Sequence, residues 1–318
     1  MTTAQLPKLD PTMKGRDFLS LHDFSRDEIF YFIDLARQLK ALQKDRIPHP
    51  YLAGKTLGMI FTKSSTRTRV SFEVGMYQLG GNALFLSSAD IQLGRGEPIK
   101  DTARVLSRYV DGIMIRTFAH SDVVELAQYA DIPVINGLTD LLHPCQVLAD
   151  LMTIVEYKGK TDGLKMTFIG DGNNMAHELM FGGAKAGMDV VICTPEAYRP
   201  EPEIVRIATE DAKAHGGSIT LMSDPVAASK DADVLYTDVW ASMGQEGEAQ
   251  ERAQAFQGFM IDGTIMKAAH PKAIVLHCLP AHRGEEITDE VIEGPQSAVF
   301  DEAENRLHAQ KAIMASVM

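Results

Sequence analysis

The chain has 318 residues, enough for two domains of about 150 residues. Its 45% apolar and 23% charged residues are ordinary for a soluble globular protein, and no apolar run reaches the ~18 residues needed to cross a membrane. A net charge of -12 disfavours nucleic acid, which is held largely through Lys and Arg contacts to phosphate. The three cysteines, Cys145, Cys193 and Cys278, are too few and too far apart for a disulfide framework or a Cys-x-x-Cys zinc site. The stretch "MTTAQLPKLDPTMKGRDF" lacks the basic start and apolar centre of a signal peptide, so a cytoplasmic location is expected.

The first helix announces itself at Ser25, an N-cap with Glu28 three residues on to complete a capping box. Ile29, Phe32, Ile33, Ala36 and Leu39 then recur at helical spacing, until "RIPHPYLAGK" breaks the pattern. A strand follows over Leu57–Phe61, then a hydroxyl-rich turn, then a helix stopped by Gly80-Gly81. "GIMIR" (Gly112–Arg116) and "IPVING" (Ile132–Gly137) read as strands, with a helix in "SDVVELAQYA" between them. A helix starts after His143-Pro144. The alternation then restarts: "LKMTFIGDG", "MDVVICTP", "SITLMSD", "ADVLYTDVW" and "KAIVLHCLP" read as strands, with helices in "NNMAHELMFGGAKAG" and "EIVRIATEDAKAHG". "DEAENRLHAQKAIMASVM" is a last helix. Repeated strand–helix alternation implies parallel sheets with crossover helices. The expected fold is therefore α/β, with two doubly wound parallel-sheet domains, a boundary near residues 140–155 and a ligand cleft between them.

Five polar motifs sit at strand ends. In "FTKSSTRTR", Lys63, Arg67 and Arg69 cluster with hydroxyls where a helix begins. Helix N-termini present free N–H groups and partial positive charge, and an Arg fork grips phosphate twice, so an anion site is preferred over a plainly capped helix. "HPCQ" places His143 and Gln146 on the turn entering a helix at Pro144. "IGDGNN" offers Gly170 and Gly172, a weak dinucleotide signal because Met175 stands where a third small residue belongs; Asn173 and Asn174 suit a small polar ligand equally well. In "TDVWASMGQE", Asp238 at a strand end suits an amine. In "VLHCLP", Cys278 is either a reactive group or a small buried residue.

With these motifs in this order, the chain resembles the ornithine carbamoyltransferases over nearly its whole length. "STRTR" and "HPCQ" resemble the carbamoyl-phosphate signatures of the wider carbamoyltransferase family; Asp-x-x-x-Ser-Met-Gly (Asp238 to Gly244) and His-Cys-Leu-Pro (His277 to Pro280) resemble its ornithine-specific pair. One departure is Met-Ala-His-Glu-Leu after Asn174, with His177 and Glu178 where the family often has an Asn-Ser pair. The resemblance implies that carbamoyl phosphate and L-ornithine give L-citrulline and phosphate, in arginine metabolism, without metal or organic cofactor. It implies a homotrimer, a carbamoyl-phosphate domain over 1–145 completed by a C-terminal helix over 300–318, and an ornithine domain over 146–299. Ser65, Thr66, Arg67, Thr68, Gln92 (from a neighbouring subunit), Arg116, His143, Gln146 and Arg306 are then expected to hold carbamoyl phosphate. Asn174, Asp238, Ser242, Met243, Cys278 and Leu279 are expected to hold ornithine, and Arg116, His143, Asp238 and Cys278 to act in catalysis. A nicotinamide-dependent dehydrogenase, a non-catalytic binding protein and a carbamoyltransferase for another amine are the competing readings.

Overall fold

A computed structural model of the chain describes residues 6–241 and 246–318. The chain divides into two compact units: Met1–Ala149 with Asn305–Met318, and Asp150–Glu304.

In chain order, the first unit contains α1 (Arg26–Lys44), β1 (Thr56–Phe61), α2 (Thr66–Gln78), β2 (Asn82–Ser87), α3 (Ile99–Leu106), β3 (Gly112–Arg116), α4 (His120–Tyr129) and β4 (Val134–Leu138). Helix α5 (Pro144–Lys158) begins in it and continues into the second unit, where α6 (Asn174–Lys185) follows β5 (Lys165–Ile169). Next come β6 (Asp189–Cys193), α7 (Pro202–His215), β7 (Ser218–Met222), α8 (Pro225–Ser229), β8 (Val234–Thr237), α9 (Ala249–Ala255), α10 (Gly263–Ala268), β9 (Ile274–His277) and α11 (Asp289–Ile292). The last helix, α12 (Val299–Val317), belongs to the first unit from Asn305 on.

The first helix is capped as the sequence requires: Ser25 Oγ accepts from Glu28 N, and the Glu28 carboxylate accepts from Ser25 N at 2.8 Å. Both sheets are wholly parallel, ordered β2-β1-β3-β4 and β7-β6-β5-β8-β9. Strand order reverses between β1 and β3 in one and between β5 and β8 in the other. Such switch points open a crevice at the carboxyl ends of the strands, and this is where ligands bind in doubly wound sheets.

Central strands bury their side chains on both faces, as parallel sheets covered by helices require. Ile60, Ile113, Ile115 and Val134 pack with Val123 and Leu126 in the first unit; Ile169, Leu235 and Val275 pack with Phe256 and Ile261 in the second. Strand β2 and helix α3 were not anticipated. β2 is an edge strand whose short apolar run, Ala83–Leu86, is exposed to half-buried where the central strands are buried. Helix α12 is fastened into the first unit by Lys40 Nζ donating to Asn305 Oδ1 at 2.7 Å and Lys311 Nζ donating to Gln78 Oε1 at 2.8 Å. Gly75 of α2 faces it, and a Cβ there would lie 2.8 Å from Met314 Cε and 3.3 Å from Lys311 Cγ.

Candidate active site

In the first unit, the motifs after β1, β3 and β4 meet at the switch point. Ser65 caps α2, its Oγ accepting from Thr68 N at 3.2 Å. The N–H groups of Thr66 and Arg67 have no partner among the described residues and sit where the helix dipole favours an anion. Of the three cations in this stretch, two are committed elsewhere. Lys63 is buried, pairs with Asp140 at 3.0 Å and lies over the Phe118 ring; Arg69 pairs with Glu73 at 2.9 Å and stacks on Phe85. Arg67 makes no ion pair among the described residues.

Two further guanidinium groups converge on Thr68. Arg116 Nη1 donates to its Oγ1 at 3.4 Å and Arg306 Nη2 at 3.3 Å. Arg306 Nη1 also donates to Gln146 Oε1 at 2.6 Å. Arg116 owes its place to a register shift between Ile115 and Arg116 that sets it opposite Leu138. Gly137 lies at that irregularity, and a Cβ on it would lie 2.6 Å from Met114 Sδ. His143 and Gln146, at the start of α5, are buried. Burial, then the charges of Arg306, Arg116, Arg67 and Lys63, hold the His143 imidazole well below its ordinary pKa. Its buried Nδ1 has no hydrogen-bond partner among the described residues. The group is therefore a neutral imidazole in a cationic pocket, suited to donate to a polarised oxygen.

In the second unit, the motifs after β5, β8 and β9 meet. Asp238 follows β8 and accepts at Oδ1 from Val239 N at 2.8 Å and from Cys278 Sγ at 3.0 Å, and at Oδ2 from Asn173 Nδ2 at 3.2 Å. Asn173 also caps α6, so one side chain fixes both the helix start and the carboxylate. Asn174 is buried beside it, and Leu279 follows Cys278 with φ at 57°. Burial and then the Asp238 charge push the Cys278 thiol well above its ordinary pKa, so it is a neutral donor and not a thiolate nucleophile. Ser242, Met243 and Gly244 lie outside the described residues. Gln92 is exposed, on a short 3-10 turn (Gln92–Arg95).

Gly172 has a packing reason unrelated to a dinucleotide: a Cβ there would lie 2.3 Å from Pro200 N. His177 is buried and accepts from Glu201 N at 3.1 Å, which binds α6 to the start of α7. Asp238, His277 and Cys278 bring ligand atoms within 4.8 Å of one another, but both nitrogens of His277 are occupied. Nδ1 accepts from Leu279 N at 2.9 Å and Nε2 meets Glu286 Oε1 at 3.0 Å, which leaves a carboxylate and a thiol, too few for a metal. Sequence reasoning missed Glu286, Arg252 and the pair Asp150 and Glu302. Arg252 ties Asp171 at 2.7 Å to the Trp240 carbonyl at 2.9 Å. Asp150 carried a signal, as an acid inside the apolar run "VLADLMTIV".

Two doubly wound units, one with a cationic anion site and the other with a carboxylate–thiol site, define a two-domain α/β protein for small polar ligands of opposite charge. Two family models match it. The aspartate/ornithine carbamoyltransferase carbamoyl-P binding domain covers residues 16–156, and the Asp/Orn binding domain of the same family covers 162–317. An ornithine carbamoyltransferase of Symbiobacterium thermophilum is 61% identical over 307 residues, which span 96% of this chain and 99% of that protein. A solved ornithine carbamoyltransferase from Pyrococcus furiosus superposes with a TM-score of 0.94 at 57% identity, covering 96% of this chain and 98% of its own. One from Gloeobacter violaceus gives 0.85 at 48% identity, covering 98% and 100%. The chain belongs to the aspartate/ornithine carbamoyltransferase family.

Proposed function

We propose that the protein transfers the carbamoyl group of carbamoyl phosphate to the side-chain amine of L-ornithine, giving L-citrulline and phosphate, a step of arginine biosynthesis. The observation that carries the choice of acceptor is the 3.0 Å contact of Cys278 Sγ with Asp238 Oδ1, which joins the two ornithine-type motifs across 40 residues. Relatives named ornithine carbamoyltransferase at about 60% identity support it, one of them, from Pyrococcus furiosus, named anabolic.

In this reading the first unit takes carbamoyl phosphate. The N–H groups of Thr66 and Arg67, the Ser65 and Thr68 hydroxyls and the Arg67 fork meet the phosphate. Arg116, His143 and Thr68 meet the carbonyl oxygen, Gln146 meets the carbamoyl amide, and Arg306 holds Thr68 and Gln146 in place around the same ligand. The second unit takes ornithine through Asn174, Asp238, Cys278, Leu279, Ser242 and Met243. The amine must attack as the neutral base, although a free alkyl amine has a pKa near ~10. Asp238 draws it in and the neutral thiol of Cys278 orients it. The C–N bond forms, negative charge grows on the carbonyl oxygen, and preorganised donors there are worth about 3 kcal/mol each. The C–O bond to phosphate then breaks, and a phosphate oxygen takes the amine's proton. No acyl-enzyme is needed, and this sequence of steps asks for no metal or organic cofactor.

The same reading includes a homotrimer. Val70, Val74 and Tyr77 form an exposed apolar stripe on α2, beside the exposed Leu84 and Phe85 of edge strand β2. Unpaired strand edges and apolar stripes of this kind suit a subunit interface. A neighbour docked there supplies Gln92, whose exposed turn follows β2. Tyr77→Glu is expected to lower the mass seen by sedimentation; an unchanged trimer refutes this interface. A cytoplasmic location fits these substrates. Phosphate release that depends on L-ornithine tests the central reaction, and release without it, or none, refutes the reading.

A further inference from the structure

We propose that Glu302 is a positioning residue for the ornithine amine, bracing from behind the two strand ends that carry Asp238 and Cys278. The inference rests on the reading above and extends it to a residue that touches no substrate. Glu302 is fully buried. Its Oε1 accepts from the Tyr236 hydroxyl at 3.1 Å and its Oε2 accepts from the backbone N–H of His277 at 2.8 Å. Tyr236 lies two residues before Asp238 on β8, and His277 immediately precedes Cys278 on β9. One carboxyl group therefore sets how far each of these neighbouring strands runs before its chain turns off to deliver its functional side chain.

Glu302 also hydrogen-bonds Asp150, near the middle of α5. Two carboxyl groups can bond to each other only through a proton, so the pair holds a proton. Negative charge on Glu302 and Asp150 also reaches Cys278. This charge disfavours a thiolate there, together with Asp238. The residue that keeps strands β8 and β9 in step thus also helps keep the thiol a neutral donor.

The test compares Glu302→Gln, Glu302→Ala and Tyr236→Phe by steady-state citrulline formation, varying each substrate in turn. Glutamine can still accept from His277 N–H and donate to Asp150, so its ornithine KM is expected within about threefold of wild type, whereas alanine raises it by about tenfold or more. Carbamoyl phosphate KM stays within about twofold in all three. Tyr236→Phe loses one hydrogen bond without opening a cavity, and is expected to raise ornithine KM about threefold; it decides the matter if the alanine variant does not fold. Unchanged ornithine KM in the phenylalanine and alanine variants, or equal rises for both substrates, overturns this inference while leaving the reaction assigned. A wild-type protein that forms no citrulline overturns the reading and this inference with it.

Discussion

His143 offers the sharpest test of how the carbonyl oxygen is stabilised. It is 5% exposed, and Arg306, Arg116, Arg67 and Lys63 bring positive charge to it. Burial and these charges keep it neutral, so its role is to donate one hydrogen bond and not a proton. Replacing it with alanine removes one donor from a preorganised oxyanion site, worth about 3 kcal/mol or roughly 150-fold in kcat. Glutamine keeps a neutral donor and should recover part of that loss, which a proton-donating role would not allow. Steady-state kinetics of both variants at saturating substrates measure this. A kcat within about threefold of wild type in His143→Ala, or equal damage in the glutamine and alanine variants, would refute the argument. Stability has a linked pH dependence. The folded imidazole resists protonation, whereas the unfolded one takes a proton near its ordinary value of 6.5. The contribution is thus intact above that pH and is lost as pH falls below about 6.5. Denaturant titrations at a series of pH values check it; stability that rises on acidification through this window contradicts it.

The remaining predictions concern the two ligands and one helix. Arg67→Ala removes the one cation of this cluster that makes no ion pair among the described residues, and is expected to raise carbamoyl phosphate KM by about a hundredfold with ornithine KM little changed, as a lost charge-assisted fork would; calorimetric titration with carbamoyl phosphate checks this directly. Asp238→Asn keeps the size of the side chain but loses the charge that draws in the amine, so ornithine KM should rise by at least about tenfold, and an unchanged ornithine dependence removes the assignment. Ser25→Ala breaks the capping box of α1 and should cost about 1 kcal/mol, read from the unfolding midpoint with activity intact.

Most of the fold was legible because parallel strands buried on both faces leave short apolar runs, and capped helices leave Ser, Asn or Pro at their starts. The runs at Leu57–Phe61 and Gly112–Arg116 became β1 and β3, and Ser25 and Asn173 became caps. Strand β2 escaped although Ala83–Leu86 is an apolar run: the run is only four residues long and directly follows Gly80-Gly81-Asn82, and in the fold it lies exposed to half-buried at a sheet edge. The motifs were legible for another reason: ligand-holding residues gather just past strand ends, where the chain is free of the pleat. The cations at Lys63, Arg67 and Arg69 read as one cluster in sequence, yet only Arg67 is left without an ion pair among the described residues, because partners such as Asp140 and Glu73 become visible only in three dimensions. Glu302 stayed hidden for the same reason: it works through Tyr236, 66 residues away, and single acids in helices ordinarily mean solvent.

In the proposed reaction carbamoyl phosphate is one substrate and free L-ornithine the other. The purified protein would be given carbamoyl phosphate with ornithine, N-acetylornithine, putrescine or aspartate in separate reactions, with carbamoylated product and phosphate both quantified. Equimolar citrulline and phosphate with ornithine alone is the predicted result. Turnover of N-acetylornithine, putrescine or aspartate in preference to ornithine would contradict the assignment of Asp238 and Cys278, and no phosphate release with any acceptor would contradict the reaction itself.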